Sequence, residues 1–353
     1  MSWYPPAVRR VLARLLIVLA AVGGVFAVWA LYRTGELRVL EPLAVGTCSR
    51  VEGAPGAEDI VVHAASGTAF VSSLDRWALG AGEAVNGKIF AYDLATRSLT
   101  DATPDEPEVF RPHGIGLYEG DGELLLFVVN HPGGTEHTVE ILRYDGGRFH
   151  HVDTIDDDLL ISPNDVVAVG PRSFYATNDH GAASGWRYFV EDALNLARGT
   201  VVYWDGEKAT LVAAGLAYAN GIAASRFGRE IYVAGTTHGV LYVFSRDGDT
   251  GALGRPHEID LGTGVDNLTV DRHGMLWIAA HPKLLTHFRY RRGLTDRSPS
   301  QVLWVDTDGA TDPPVRPVYL NLGEEISASS VAVPHGDRLL IGSVYESFVD
   351  CQR

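Results

Sequence analysis

PNDVVAVGPRSFYATNDH, residues 163–180, runs an amide and a carboxylate, Asn164 and Asp165, straight into an apolar strand that starts at Val166. The same junction of polar residues and apolar strand occurs at Glu58-Asp59-Ile60-Val61-Val62, His113-Gly114-Ile115-Gly116-Leu117 and Asn220-Gly221-Ile222-Ala223. It returns at Asp266-Asn267-Leu268-Thr269-Val270 and Ser329-Ser330-Val331-Ala332-Val333. Counted from Asp59 through His113, Asn164, Asn220, Asp266 and Ser329, the spacings are 54, 51, 56, 46 and 63 residues. A period of that size holds four short strands with their loops, which makes one propeller blade. Six junctions predict an all-β, six-bladed propeller in a single domain, residues 34–353.

Between the junctions lie further short apolar runs bounded by Gly, Asp, Asn and Pro, such as Gly87–Tyr92, Leu124–Asn130, Val139–Tyr144, Gly199–Trp204 and Leu276–Ala279. These read as strands. Within this body only Arg187–Ala197, RYFVEDALNLA, has helical character, which predicts one short helix lying on top of the propeller. In a propeller the innermost strand of each blade lines the axis. If each junction starts its innermost strand, Glu58, Asp59, His113, Asn164, Asp165, Asn220, Asp266 and Asn267 converge on one mouth of the channel. Carboxylates, amide oxygens and backbone carbonyls are hard donors that suit Ca²⁺ rather than zinc. Four carboxylates on a buried axis are costly without a cation, and two Ca²⁺ carry the matching charge.

Composition narrows the partners. Lys plus Arg number 29 against 44 Asp plus Glu, a formal charge of -15 over 353 residues. Four of the arginines fall in residues 1–33, which hold no acid, so the remaining body carries 25 basic groups (29 less 4) against 44 acidic. Such a body repels phosphate backbones, and no nucleic-acid partner is expected. Leu15 to Tyr32 is free of charge, with Arg9, Arg10 and Arg14 ahead of it. That run is long enough to cross a bilayer, and the arginines hold its start in the cytoplasm. Residues 1–33 are therefore expected to be an uncleaved membrane anchor with the body outside; a cleaved signal peptide is the rival reading. In an oxidising compartment the two cysteines, Cys48 and Cys351, are expected to pair and tie the first strand of the body to the last. Chain entropy puts the contribution of so long a loop at up to about 5 kcal/mol.

These residues resemble the exported, calcium-dependent paraoxonase-type lactonases and arylesterases. The resemblance runs from about Cys48 to Cys351 and includes RPHGI at 111–115, VVNHP at 128–132, ANGI at 219–222, VDNLTV at 265–270 and LLIGSV at 339–344. It implies a catalytic Ca²⁺ held by Glu58, Asn164, Asn220, Asp266 and Asn267. A second, structural Ca²⁺ would be held by Asp59, Asp165 and the carbonyl of Ile115. It also implies a histidine pair, His113 and His131, a Cys48–Cys351 disulfide, and a lid role for the helix at Arg187–Ala197. Trp77, Tyr218, His281, Phe288, Ser330 and Val344 fall at pocket positions of similar character, though not all are identical to the family's residues.

On this reading a lactone or aryl ester is hydrolysed by a Ca²⁺-polarised carbonyl and a water activated by His113, with His131 fixing its tautomer. A variant has Asp266 attack the carbonyl or position the water. A sugar lactonase on the same scaffold, and a propeller that keeps calcium as a plug and only binds a ligand, are the alternatives. No G-x-S-x-G elbow and no H-E-x-x-H motif occurs. Asn267-Leu268-Thr269 is a formal glycosylation sequon, but a buried ligand at Asn267 would take no glycan. His180 reads as a satisfied core histidine.

Overall fold

The computed structural model describes residues 6–307 and 313–353; the first five residues of the expected anchor lie outside the described residues. Six four-stranded antiparallel sheets follow one another around an axis. Blades one to five take their strands in chain order from the axis outwards. Blade six is built from Ser329–His335, Arg338–Ser343 and Phe348–Gln352, and its outermost strand is the first strand of the body, Thr47–Val51. Cys48 stands directly opposite Cys351 in that last pair, and the two are joined by a disulfide across a sequence separation of 303 residues. Closure of the ring is thus both hydrogen-bonded and covalent.

The apolar runs are continuous because each sheet is covered on both faces. One cluster packs Phe70, Ile89 and Ala91 of blade one on Ile115, Leu126, Val128 and Leu142 of blade two. Another packs Val331, Val333 and Leu340 of blade six back on Ile60 and Val71 of blade one. Six such clusters, one per blade interface, make the core. The outermost strand Arg148–Ile155 meets water and largely alternates exposed with buried or half-buried residues.

The six junctions begin the six innermost strands, and all six sit in register breaks. Pairing skips between Ala57 and Asp59, Pro112 and Ile115, Pro163 and Val166, Ala219 and Ile222, Val265 and Leu268, and Ser329 and Val331. Such a bulge removes residues from the ladder and re-aims their side chains, here towards the axis. Gly221 is required at one of these points, since a Cβ there would lie 2.5 Å from the Asn267 Cα.

Among the described residues four helices accompany the sheets, two more than expected. Helix α1, Pro6–Arg33, is apolar on every side from Leu15 to Tyr32 and projects from the propeller, with Leu16 and Ile17 each 67% exposed. A helix of that kind has the length and character of a membrane span. It ends at Gly35 (φ +75), where a Cβ would meet the Pro282 carbonyl. The helix expected over Arg187–Ala197, α3, runs over Gly185–Leu194 and exposes Trp186 and Phe189. The unexpected helices are α2, Arg76–Gly80, and α4, Leu284–Arg291.

Candidate active site

A cavity of about 440 Å³ opens at the mouth where the junctions converge, lined by Glu58, His113, His131, Asn164, Asn220 and Asp266 among others. At its floor, Asn267 Nδ2 donates to Glu58 Oε1 at 2.9 Å, and Asn220 Nδ2 donates to Thr236 Oγ1 at 3.1 Å. With their amide nitrogens so engaged, both asparagines turn their oxygens elsewhere. Four buried oxygens have no hydrogen-bond partner: Glu58 Oε2, Asn164 Oδ1, Asn220 Oδ1 and Asn267 Oδ1. A buried acceptor left without a donor costs roughly 1–3 kcal/mol, so four together mark a place for a ligand that takes oxygen donors. Burial pushes the Glu58 carboxyl well above its ordinary range, with Asp59 and Asp266 adding to the rise and Arg76 opposing it. Asp266 Oδ2 lies 2.9 Å from His281 Nε2, and the His281 ring stacks on His287 at 3.7 Å.

The next residues along two of these strands face the other way. Asp59 and Asp165 line a larger cavity, about 760 Å³, at the opposite end of the channel. Asp59 accepts from the N–H of Ile60 (2.8 Å) and of Ile115 (2.7 Å). Asp165 accepts from Val166 (2.7 Å) and Ile222 (2.8 Å). Each carboxylate therefore joins its own blade to the next. Burial raises Asp59 to about 7 and Asp165 in the same direction, and the Asp59 charge adds to the rise at Asp165.

Above the floor three histidines form a chain. His113 Nδ1 is 3.0 Å from His131 Nε2, and His131 Nδ1 is 2.8 Å from His137 Nδ1. His113 Nε2 points towards the floor, 3.8 Å from Glu58 Oε1. Burial, helped by the Arg76 charge, holds His113 well below its ordinary value; burial and the neighbouring His137 hold His131 down to about 3. All three rings are then neutral near pH 7. His137 was not singled out in the sequence, although a signal existed: Gly133 and Gly134, both at positive φ, turn the hairpin that carries it back beside His131.

Tyr218, His281, Phe288 and Val344 line the cavity. Two pocket expectations need correction. Ser330 is buried off the cavity and donates to the Glu58 carbonyl at 2.5 Å. Trp77 stands outside the wall, packed on Tyr290 (5.6 Å) and Tyr345 (4.6 Å); its neighbour Arg76 enters the lining instead. His180 is buried against Asp179 (2.8 Å) and stacked on Tyr188. Asn267 is 1% exposed.

The family model described as Arylesterase matches residues 40–353, nearly the whole propeller. The chain belongs to the arylesterase family. It is 35% identical over 333 residues to serum paraoxonase/arylesterase 2 of Gallus gallus, covering 91% of this chain and 92% of the relative. It is 32% identical over 332 residues to serum paraoxonase/lactonase 3 of Homo sapiens, with the same coverage. Among solved structures, a gluconolactonase from Xanthomonas campestris superposes with a TM-score of 0.54 at 17% identity, covering 89% of this chain and 98% of its own, which establishes the shared fold.

Proposed function

We propose that this arylesterase-family member hydrolyses lactones and aryl esters in the upper cavity, around a calcium ion held by Glu58, Asn164, Asn220, Asp266 and Asn267. The chain is an ester-hydrolysing enzyme of the arylesterase/lactonase type. The observation that carries the finer reading is the set of four unpartnered buried oxygens beneath His113. Two amide groups held by their nitrogens, a third asparagine and two carboxylates form a hard, flexible donor set that fits Ca²⁺. When bound, the ion supplies Lewis-acid polarisation of the substrate carbonyl and neutralises the buried carboxylates.

The protein's own groups supply the rest. His113, neutral because it is buried, takes a proton at Nε2 from the attacking water. Its Nδ1–H donates to His131 Nε2, whose Nδ1–H in turn donates to His137 Nδ1, so the chain fixes one tautomer throughout. Water oxygen joins the carbonyl carbon, the ester C–O bond breaks, and the proton returns from His113 to the departing alkoxide. His281 orients the Asp266 carboxylate. Leu74, Phe288 and Val344 offer apolar contact to the acyl part. Asp59 and Asp165, with the Ile115 carbonyl, would hold a second, structural ion, supported by two carboxylates raised by burial at one end of the axis.

Helix α1 anchors the enzyme in a membrane with the propeller on the extracytoplasmic side, a placement supported by the arginines at its start and by the disulfide. The test is turnover of γ- and δ-lactones and phenyl acetate by the full chain, with Ca²⁺, after EGTA, and after Ca²⁺ is restored. Activity should vanish on chelation and return; activity indifferent to chelation in a folded protein would overturn the calcium reading.

A further inference from the structure

Helices α2 and α4, absent from the sequence expectation, form a roof over one side of the cavity. They come from different blades and are clasped by three aromatic rings. Trp77 of α2 lies 5.6 Å from Tyr290 of α4, and both pack on Tyr345, at 4.6 and 5.7 Å. Glu36, just beyond the anchor, fixes the start of α4 by accepting from the Thr286 N–H (2.9 Å) and hydroxyl (2.8 Å). This roof sets two guanidiniums on the cavity wall: Arg76 in the first turn of α2 and Arg291 in the last turn of α4. Arg76 makes only long contacts to the carbonyls of Gly56 (3.3 Å) and Val344 (3.4 Å). Among the described residues neither arginine forms an ion pair with a carboxylate, and Arg291 has no hydrogen bond. The rim carboxylate Asp179 is already engaged by His180 (2.8 Å) and Ser162 (2.5 Å). Arg76 feels the Glu58 carboxyl and Arg291 feels Tyr218 and Asp179, all beyond ion-pair distance, so two clustered guanidiniums on a protein of net charge -15 hold no carboxylate of their own, which the hydrolytic reaction itself does not explain.

Resting on the hydrolytic reading above, we infer that the preferred substrates are lactones or esters carrying a second, ionised carboxylate, which Arg76 and Arg291 grip while the ester carbonyl lies at the cavity floor. Guanidinium groups match a carboxylate with paired, charge-assisted hydrogen bonds. The apolar wall between rim and floor takes the ring or chain that joins the two ends.

The test compares, with the full chain, a γ-butyrolactone bearing a ring carboxylate and the matching carboxamide. The carboxylate should show kcat/KM higher by about tenfold or more. Arg291→Gln should abolish that ratio through KM, and Arg291→Lys should keep part of it. Calorimetric titration with cyclopentanone carboxylate, which cannot be hydrolysed, should show binding that weakens about tenfold in Arg291→Gln. Equal turnover of both lactones, or a ratio and a binding constant untouched by Arg291→Gln, would overturn the inference. If phenyl acetate is turned over without any carboxylate preference, this inference falls and the hydrolytic reading stands. If no ester is turned over, the hydrolytic reading falls and the titration alone decides whether the guanidiniums take the carboxylate.

Discussion

Glu58 and Asp59 are neighbours in the chain, as are Asn164 and Asp165, yet the two members of each pair live under opposite conditions. Glu58 and Asn164 face the upper cavity with an oxygen that no donor reaches. Asp59 and Asp165 face the lower channel, and each of their oxygens accepts a backbone N–H, so that each carboxylate joins two blades. The bulge at each junction makes this division, because it aims consecutive side chains at the two ends of one axis. A polar group satisfied within the protein holds the fold together, whereas one left open is held ready for something else. The same residue types thus build a frame at one end and a receptive floor at the other.

The sharpest way to break this division is Glu58→Gln. Turnover should fall about a thousandfold or more, since a charged donor at the floor is lost. Stability should respond the opposite way: the calcium-free variant should melt no lower than the calcium-free wild type, because burial already disfavours the Glu58 charge. Lactonase rates and thermal melting after EGTA check both parts. A variant that unfolds would place Glu58 with the frame.

Asp165→Ala probes the other end. It strands the N–H groups of Val166 and Ile222, each at a cost of about 1–3 kcal/mol. Denaturant unfolding should show a loss of that order per group with calcium present. A loss confined to turnover would move Asp165 out of the frame. His281→Ala should have a smaller effect at the floor, weakening calcium binding about 10–100-fold by freeing Asp266; calcium titration followed by intrinsic fluorescence reads it.

How much of this was visible in the chain follows the same line between local and distant causes. The propeller could be read because each blade announces its inner strand by polar residues ahead of an apolar run, a signal contained in five residues. That signal sets Asp59 and Asp165 at the same mouth as Glu58 and Asn164, and there it fails: the two aspartates line the cavity at the opposite end, because the register break at each junction aims neighbouring side chains apart. Helix α4 could not be read, since LLTHFRYR lacks an apolar stripe and its N-cap, Lys283, makes no side-chain cap. The acceptor that starts it is Glu36, 250 residues away in sequence. The family resemblance sets Trp77 at an aromatic pocket position; the five-residue helix α2 turns it onto Tyr290 and Tyr345 and puts Arg76 inside. The resemblance likewise sets Ser330 at a pocket position, but its hydroxyl donates to the Glu58 carbonyl.

Acid and base treatment probes the lower end by charge. An aspartate in the unfolded chain titrates near 4, about 3.9, whereas burial holds Asp59 at about 7 in the calcium-free fold. Between those values the native state keeps a proton that the unfolded state has released. Its contribution to stability is therefore complete below about pH 4 and is lost as pH rises to about 7. Asp165 shifts in the same direction. Calcium binding the ionised carboxylates offsets that loss, so the melting-temperature gap between calcium-loaded and EGTA-treated protein should widen from about pH 5 to about pH 8. A gap constant across this range would detach Asp59 and Asp165 from calcium.

The smallest effect belongs to blade six, whose junction offers two serines where the others offer carboxylates, amides or a histidine. Ser330 Oγ donates to the Glu58 carbonyl at 2.5 Å, and Ser329 N–H donates to Ser300 Oγ at 3.0 Å, so this blade joins its neighbours and leaves no oxygen open. Removing the hydroxyl in Ser330→Ala should cost about 1 kcal/mol, the ordinary net contribution of one hydrogen bond. The Glu58 carbonyl retains a long contact from Asn267 Nδ2 at 3.3 Å, which limits the penalty. Calcium affinity should shift by less than in His281→Ala, because Ser330 holds the backbone of Glu58 and not its carboxylate. Should Ser330→Ala weaken calcium more than His281→Ala does, the Glu58 backbone would be part of the receptive floor, and the division between frame and floor would have to be drawn within a single residue.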